Sequence, residues 1–600
     1  MDTQEKKILL IAAQNVVSQT VDTITEQILL TEQSIQDTQL ELRQAHSSEA
    51  VHLAQNILSL RKRILIGLEE AHDSPFFARC DVQLKTEDKS KILYFGKFSI
   101  PELNIYSWTV PAARIRFNKP GPFAYTSETQ NKVSGEMERI DQYLIAQGKI
   151  RLMTTETQEN PRTLVHQEKF SIHKTEFMLP EIVERMEKAQ DDIIRANAYG
   201  SFFISGPAGS GKTTLALHRI AYLLQAPEHN TEFDPRKILI LVQDDRSKEY
   251  FEKLLPSLGI TNIGISTFYL WAMDLLDITT CSYVQRFGKS ESERDLYEAA
   301  KYKAFQNLIS VRIKNPFETL KKHYFPHFSN SQKNLFSIQC SEGVLDKFDL
   351  TLLLLAHKHI KGSFTKRQRT YTRTLKDTVK TRMEDVEVKY SSIVIDEVQN
   401  YLPEQIRVLQ SCISEKTKAM TYVGDLAQQT SLFALRDWSH VNEQFASDRI
   451  IYLDKVYRST KQILQYIQSS GFKIGIPQGI HEGDSVHEFT LSQIEITGKI
   501  MDLLPNLKGK FICIIGLEKE DVEPYARLET HYCKIMTATE AQGLEFDTVI
   551  FIHRKNNMDL EYPETLRSEK KKVINDQIYV ALTRAMNELY VFNLTSNDRI

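Results

Sequence analysis

Between the apolar run Phe202–Ile204 and a stretch of helical character stand Gly206, Pro207, Ala208, Gly209, Ser210, Gly211, Lys212, Thr213 and Thr214. Three glycines this close leave the backbone free to curl and to turn several N–H groups inward, a geometry suited to phosphate oxygens. The lysine that follows supplies positive charge for the outer phosphates, and the Thr213 hydroxyl is placed to hold Mg²⁺. A second candidate is Ser391-Ser-Ile-Val-Ile-Asp396-Glu397, an apolar strand that ends in two acids. Adjacent carboxylates at the carboxyl end of a buried strand suit metal binding by Asp396 and water activation by Glu397. The two stretches together predict ATP and Mg²⁺ as ligands and hydrolysis as the reaction.

Such groups need rigid supports, and the chain supplies candidates in order. Apolar strands at Phe202–Ile204, Ile238–Val242, Ile393–Ile395 and Tyr422–Val423 alternate with helical stretches, the texture of a parallel α/β domain. That domain is expected over residues 176–270 and 390–445, split by a helical insertion over 271–389. A second α/β domain is expected over 446–600, with strands at Phe511–Ile515, Thr548–Ile552 and Leu589–Phe592. Upstream, Val21, Ile24, Ile28, Ile35 and Leu42, then Leu53, Ile57, Leu60 and Ile64, keep heptad-like spacing. They predict an antiparallel coiled-coil hairpin over residues 1–72, turning near His46–Glu49; an ordinary helical pair packed on the body satisfies the same pattern. Residues 73–175, with short β-type runs and Pro101, Pro111, Pro120, Gly121 and Pro122, predict a small β-rich domain.

The chain of 600 residues carries 75 Lys plus Arg against 78 Asp plus Glu, so its net charge of −3 does not favour global adhesion to nucleic acid. A DNA or RNA track would have to be local. The candidate is Lys361, Lys366, Arg367, Arg369, Arg373, Lys376, Lys380 and Arg382, opposed only by Asp377 and containing Tyr371; a solvated basic helix face is the alternative. The six cysteines form no CxxC pair, which argues against zinc, an iron–sulfur cluster or a disulfide framework. Ile8–Ala13 is too short for a membrane span and lacks a signal-peptide pattern, so a cytoplasmic protein without membrane partners is expected.

Taken in order, these motifs resemble the UvrD/Rep group of superfamily 1 helicases, which implies that the two α/β domains are RecA-like P-loop domains. The resemblance places Gln190 where that family reads adenine, Thr267-Phe268 where it lines the nucleic-acid track, and Gln428 of Val423-Gly-Asp425-Leu-Ala-Gln428 where it couples phosphate to track. It implies that Tyr457 stacks on the base and that Arg458 reaches the γ-phosphate. It also implies that Glu545 lies near the ribose and that Arg584 is a second arginine finger. Two guanidiniums carried by a separate domain would stabilise transition-state charge only on closure, coupling hydrolysis to domain motion.

Other stretches resemble the HelD family of bacterial ATPases, which release RNA polymerase from nucleic acid. Ser74-Pro-Phe-Phe-Ala-Arg79, Tyr106-Ser-Trp108-Thr-Val-Pro111, Ala216-Leu-His-Arg-Ile-Ala-Tyr-Leu-Leu224 and Leu345-Asp-Lys-Phe-Asp-Leu-Thr-Leu-Leu-Leu354 carry that likeness. So does the short stretch from about Ser469 to Met536, where UvrD/Rep proteins have a large extra domain. The family implies RNA polymerase as partner, with the hairpin entering a polymerase channel; Val17 to Leu42 would reach on the order of 40 Å. The chain departs from the family where Ser107 and Thr109 flank Trp108, where Asn400 ends Asp396-Glu-Val-Gln-Asn400 in place of an acid, and where Gln542 stands in place of a common lysine. The competing expectation is a single-stranded DNA translocase or 3′-5′ helicase.

Overall fold

A computed structural model describes residues 3–595 other than 45–47, 87–88, 128, 130, 168–187, 208–209, 227–231, 258–259, 261, 309–314, 374–378, 454–458, 477–479, 481, 508 and 555–561. Its contacts divide the chain into one unit of Met1–Ala198, Thr214–Ile238 and Arg246–Ile265, and another of Tyr199–Thr213, Leu239–Asp245 and Ser266–Ile600.

The first unit opens with two long helices, α1 (Thr3–Gln44) and α2 (Ser48–Asp73). α2 returns along α1, and Arg61 donates to the Ser34 carbonyl and the Thr38 hydroxyl. The apolar positions of the lower part, Ala13, Val17, Ile24, Leu68 and Ala71, are buried with Phe76, Ile105, Tyr143, Ile145 and Met153. Phe76 precedes, and the other four belong to, a seven-stranded sheet of β1 (Ala78–Leu84), β2 (Ser90–Gly96), β3 (Ile105–Ser107), β4 (Gly121–Thr126), β5 (Lys132–Ala146), β6 (Lys149–Thr157) and β7 (Thr163–Gln167). Its order is β3-β2-β1-β5-β6-β7, with β4 also on β5. Gln14 ties helix to sheet by donating to the Gly148 carbonyl (2.9 Å) and accepting from Ile150 N–H (2.9 Å).

The remaining strands are β8 (Phe202–Ser205), β9 (Ile238–Val242), β10 (Gly264–Thr267), β11 (Ser282–Tyr283), β12 (Val344–Leu345), β13 (Thr365–Arg373), β14 (Val379–Glu387), β15 (Ser392–Ile395), β16 (Ala419–Gly424), β17 (Ile450–Tyr452), β18 (His487–Leu491), β19 (Ile512–Gly516), β20 (Cys533–Thr537), β21 (Phe546–His553) and β22 (Ala585–Leu594). In the second unit a first sheet runs β9-β15-β16-β8-β17 and a second runs β18-β22-β21-β19-β20. The second is parallel at every pairing, and so are β15-β16, β16-β8 and β8-β17 in the first. Strands covered on both faces carry continuous apolar runs, as Ile238–Val242 and Ile512–Gly516 do. The architecture is mixed α/β.

Two expectations need correction. Ile450 does not open the second α/β set: β17 joins the first sheet as a parallel edge on β8, and the Leu453 N–H extends the ladder to the Ser205 carbonyl (2.8 Å). The insertion is not helical to its end, and the basic stretch is not a helix face. β13 and β14 pair antiparallel from Thr365↔Glu387 to Arg373↔Val379. Alternating Thr, Tyr and charged residues suit a two-faced ribbon better than a helix. Lys366 of this ribbon pairs with Asp274, and Arg367 and Arg382 are exposed. The side chains of Arg369, Tyr371, Arg373, Lys376, Asp377 and Lys380 lie outside the described residues.

The insertion's helices, Glu291–Lys303, Pro316–Tyr324, Asn330–Glu342 and Lys347–Lys361, enclose a fully buried ionic cluster. Lys301 Nζ lies 2.6 Å from Asp346 and 2.8 Å from Asp349, and Tyr324 and Gln339 donate to Asp349. Asp346 also caps its helix through the N–H groups of Phe348 and Asp349. Burial and the neighbouring Asp349 push the Asp346 carboxyl up to about 6, while the two carboxylates raise Lys301. Replacing Lys301 with Met leaves buried acids without a cation and is expected to destabilise the protein by about 3–5 kcal/mol at neutral pH. An acid raised on folding weakens stability above its folded pKa and ceases to do so below its unfolded value, so the deficit should shrink as pH falls from 7 toward 4. Urea unfolding of both proteins across that range checks it.

Candidate functional site

The loop after β8 carries the first candidate groups. β8 is wholly buried, and the Lys212–Gln225 helix begins where the loop ends. Gly206 sits at φ 155°, and a Cβ there would fall 2.3 Å from the Leu453 carbonyl oxygen, so no side chain fits while β17 lies beside β8. Lys212 is buried and donates from Nζ to the Pro207 carbonyl at 2.9 Å. The Ser210 hydroxyl is also buried and finds no hydrogen-bond partner among the described residues. Gly211 takes a left-handed φ of 85°. Ala208 and Gly209 lie outside the described residues.

Two strands away, β15 delivers Asp396 and Glu397. Asp396 N–H bonds to the Leu241 carbonyl on β9 (2.9 Å), and its Oδ1 accepts from Thr213 Oγ1 at 3.0 Å. Burial and the adjacent Glu397 push the Asp396 carboxyl up to about 7, against the opposing pull of Thr213 and Lys212. A hydroxyl and a carboxylate at hydrogen-bond distance, beside a second acid, form an all-oxygen donor set of the kind hard divalent cations take. The residues present therefore fit Mg²⁺ with a nucleoside triphosphate. Thr213 and Asp396 would hold the ion, and Lys212 with the loop N–H groups would hold phosphate.

Glu397 stands in the left-handed region at φ 49°, opening a tight turn over Val398–Asn400. Gln399 bridges from this turn to the next strand: its Nε2 donates to Glu397 and its Oε1 accepts from Asp425 N–H at 3.1 Å. A Cβ on Gly424 would lie 2.2 Å from that Gln399 oxygen, so the bridge requires glycine at 424. Gln428 is buried with its Nε2 on Asp425 Oδ2 (2.8 Å). The structure thus joins Thr213 to Asp396 directly and Glu397 to Gln428 through Gln399 and Asp425, with Lys212 next to Thr213 in the chain.

The remaining predicted residues are placed differently. Arg584 is buried at the carboxyl end of the Glu564–Thr583 helix, bonding the carbonyls of Val580 (3.1 Å) and Leu544 (3.2 Å) and the Thr583 hydroxyl (3.1 Å). Glu545 is half-buried nearby in sequence, after Gly543 at φ 79°. Tyr457 and Arg458 lie outside the described residues. Gln190 and Thr214, both half-buried, belong to the first unit. There Arg219 does what no sequence signal announced: its guanidinium collects the carbonyls of Ile193, Ile194, Ala196 and Asn197 at 2.6–3.1 Å. It thereby closes the end of the Lys188–Ile194 helix that carries Gln190. Thr267 caps the Phe268–Leu275 helix through Leu270 N–H, and Phe268 packs edge-on against Tyr401.

A cavity of about 240 Å³ lies between the carboxyl ends of the first and second sheets, lined among others by Phe268, Tyr269, Glu397, Asn400, Thr539 and Glu540. Among the described residues no group of three or more His, Cys, Asp or Glu side chains could hold a metal by itself, and no helix is long and apolar enough to cross a membrane.

Residues 186–437 match the model for the UvrD/REP helicase N-terminal domain, and residues 350–593 that for the viral superfamily 1 RNA helicase core domain. An ATP-dependent DNA helicase PcrA of Staphylococcus epidermidis is 22% identical over 298 residues, 47% of this chain and 39% of the relative. The PcrA of Bacillus subtilis is 24% identical over 277 residues, 44% of this chain and 36% of the relative. The chain thus spans well under half the length of the relatives it matches. Both models describe helicase domains, and the stretch similar to the first contains Lys212, Thr213, Asp396, Glu397 and Gln428.

The raised Asp396 carboxyl has a measurable consequence. A cation must compete with the proton at Asp396 once the pH falls below about 7, and not above. The Mg²⁺ concentration that half-saturates ADP binding is expected to rise by up to about tenfold per pH unit below 7 and to stay level from 7.5 to 8.5. Calorimetric titration at pH 6, 7 and 8 reads this; a Mg²⁺ requirement unchanged at pH 6 would contradict it.

Proposed function

We propose that this chain is an ATP-driven remodeller that binds RNA polymerase and helps release it from nucleic acid. Lys212 and the loop N–H groups bind and orient the phosphates, Thr213 and Asp396 hold the cation, and Glu397 accepts the proton of the attacking water. Mg²⁺, when bound, neutralises charge that builds on the phosphate oxygens. Arg458 and Arg584 complete the charge stabilisation when the second sheet's half closes, which for Arg584 requires exchange of its present carbonyl partners.

The observation that carries the choice of partner is the helix pair ahead of the motor. α1 has 42 residues, a length of about 60 Å. Only its first part packs on the sheet, whereas Leu29, Leu30, Leu40, Leu53 and Leu60 on the rest of the pair are each more than half exposed. Exposed leucines spread along such a helix pair favour an apolar partner surface. A second reading, a single-stranded DNA translocase or 3′-5′ helicase, is favoured by the DNA helicase relatives, and the basic β13–β14 ribbon gives it a local track.

Co-migration of the purified chain with bacterial RNA polymerase on size exclusion tests the choice. A complex is expected, and Leu30→Glu with Leu53→Glu should weaken it at least about tenfold while leaving ATP hydrolysis unchanged, because neither residue touches the nucleotide groups. No complex, together with ATPase activity strongly stimulated by single-stranded DNA alone, would select the second reading.

A further inference from the structure

Gln542 belongs to the second half of the motor, between β20 and β21, yet its buried side chain is bound to the first half. Its Oε1 accepts from Asn400 Nδ2 (2.9 Å), Thr430 Oγ1 (3.1 Å) and, at the limit, Gln243 Nε2 (3.5 Å). Its Nε2 donates to the Gln428 carbonyl (3.2 Å). These partners stand just beyond β9, β15 and β16, the strand ends that surround Asp396, Glu397 and Asp425. The link to Glu397 is short: Asn400 N–H bonds to the Glu397 carbonyl at 3.0 Å and closes the turn in which Glu397 is held at positive φ. Gln577, from the same half as Gln542, adds a weaker contact to the Thr430 carbonyl (3.5 Å) and is held within its own half by Thr539 (3.3 Å).

We propose that Gln542 is a positioning residue for hydrolysis, setting Glu397 through Asn400 so that movement of the second half registers at the water-activating carboxylate. This rests on the ATP-hydrolysis reading above. The clasp is built from neutral amides and hydroxyls, so no buried charge needs a counter-ion when the halves part or meet. Asn400 and Gln542 are two of the departures noted in the sequence, and here their side chains are bonded to each other. A single charge at either position would be buried opposite a neutral amide, whereas an acid at 400 facing an ammonium at 542 would pair. The charged groups lining the cavity beside position 400 are Glu397 on its own turn, Glu540, Glu518 and Lys519 from the second half, and Arg286, Glu291, Arg294 and Lys347 from the insertion, with the phenols of Tyr269, Tyr283 and Tyr401 among them. The wild-type pH profile controls for them.

The test is a cycle of Asn400→Asp, Gln542→Lys and the double variant in the full chain, read as kcat and KM for ATP between pH 6 and 8.5. Asn400→Asp should lower kcat at pH 8 by about tenfold or more, with KM changed less than about threefold. It should recover toward pH 6, where a protonated carboxyl donates to Gln542 as the amide does. The double variant should return to within about threefold of wild type at all pH values. Gln542→Met, which removes the contacts without adding charge, should lower kcat and spare KM. An Asn400→Asp enzyme as fast as wild type at pH 8, or a double variant as slow as the product of the single losses, would overturn the proposal. A wild-type chain without Glu397-dependent hydrolysis would overturn it together with the reading beneath it.

Discussion

Two carboxylates on consecutive residues, Asp396 and Glu397, end a fully buried strand, and much of the motor is arranged around keeping them there. Burial denies them water and side by side they repel, which is why Asp396 is pushed to about 7 against the pull of a threonine hydroxyl, a lysine and the Glu397 N–H. That imbalance is tolerable in a site that receives a divalent cation and a polyphosphate. The surrounding features follow from it: a strand buried on both faces to fix the pair, a loop whose Gly206 lets β17 close on β8, and a Gln399 bridge that admits only glycine at 424.

Elsewhere the protein balances its buried charge internally. Lys301 sits between Asp346 and Asp349. Lys570, from the second half, lies 2.7 Å from Asp295 and 3.3 Å from Glu291 of the insertion, where Arg286 pairs with Glu298 at 2.7 Å and Tyr562 donates to Asp295 at 2.8 Å. Such clusters fix geometry more than they add stability, since desolvation offsets much of the attraction. The Lys570 cluster holds the insertion against the second half with charge, while the Gln542 clasp joins the two halves with neutral groups. The Asp396–Glu397 pair lacks an internal counter-charge sufficient to hold Asp396 in the ordinary carboxylate range, and its neighbours Lys212 and Thr213 make it a place that an external cation would fit.

The strands β8, β9, β15, β16, β19, β21 and β22 were legible in the sequence because burial on both faces leaves continuous apolar runs, and β9 was read with both its ends, whereas the parallel strands β18 and β20, with polar residues among their apolar ones, were not read. The nucleotide loop was legible because its glycines, lysine and threonine have few alternative uses in that order. Two kinds of feature were hidden. β5 and β6 escaped notice because Asp141 interrupts the apolar alternation at a buried position, where Arg139, Tyr143 and Thr155 satisfy it. Arg219, Asn400 and Thr430 act through partners distant in sequence, and nothing in a local pattern reports such pairing. The β13–β14 ribbon was misread because a count of charges discards the strand-like alternation of Thr and Tyr between them.

Hydrolysis of ATP that depends on the paired carboxylates is the most direct test of this site. Phosphate release by the purified chain should require Mg²⁺ and should drop at least about a hundredfold in Glu397→Gln, with ATP still bound, because one proton acceptor is lost and the cradle is untouched. Release that persists undiminished in Glu397→Gln, or that proceeds without a divalent cation, would contradict it.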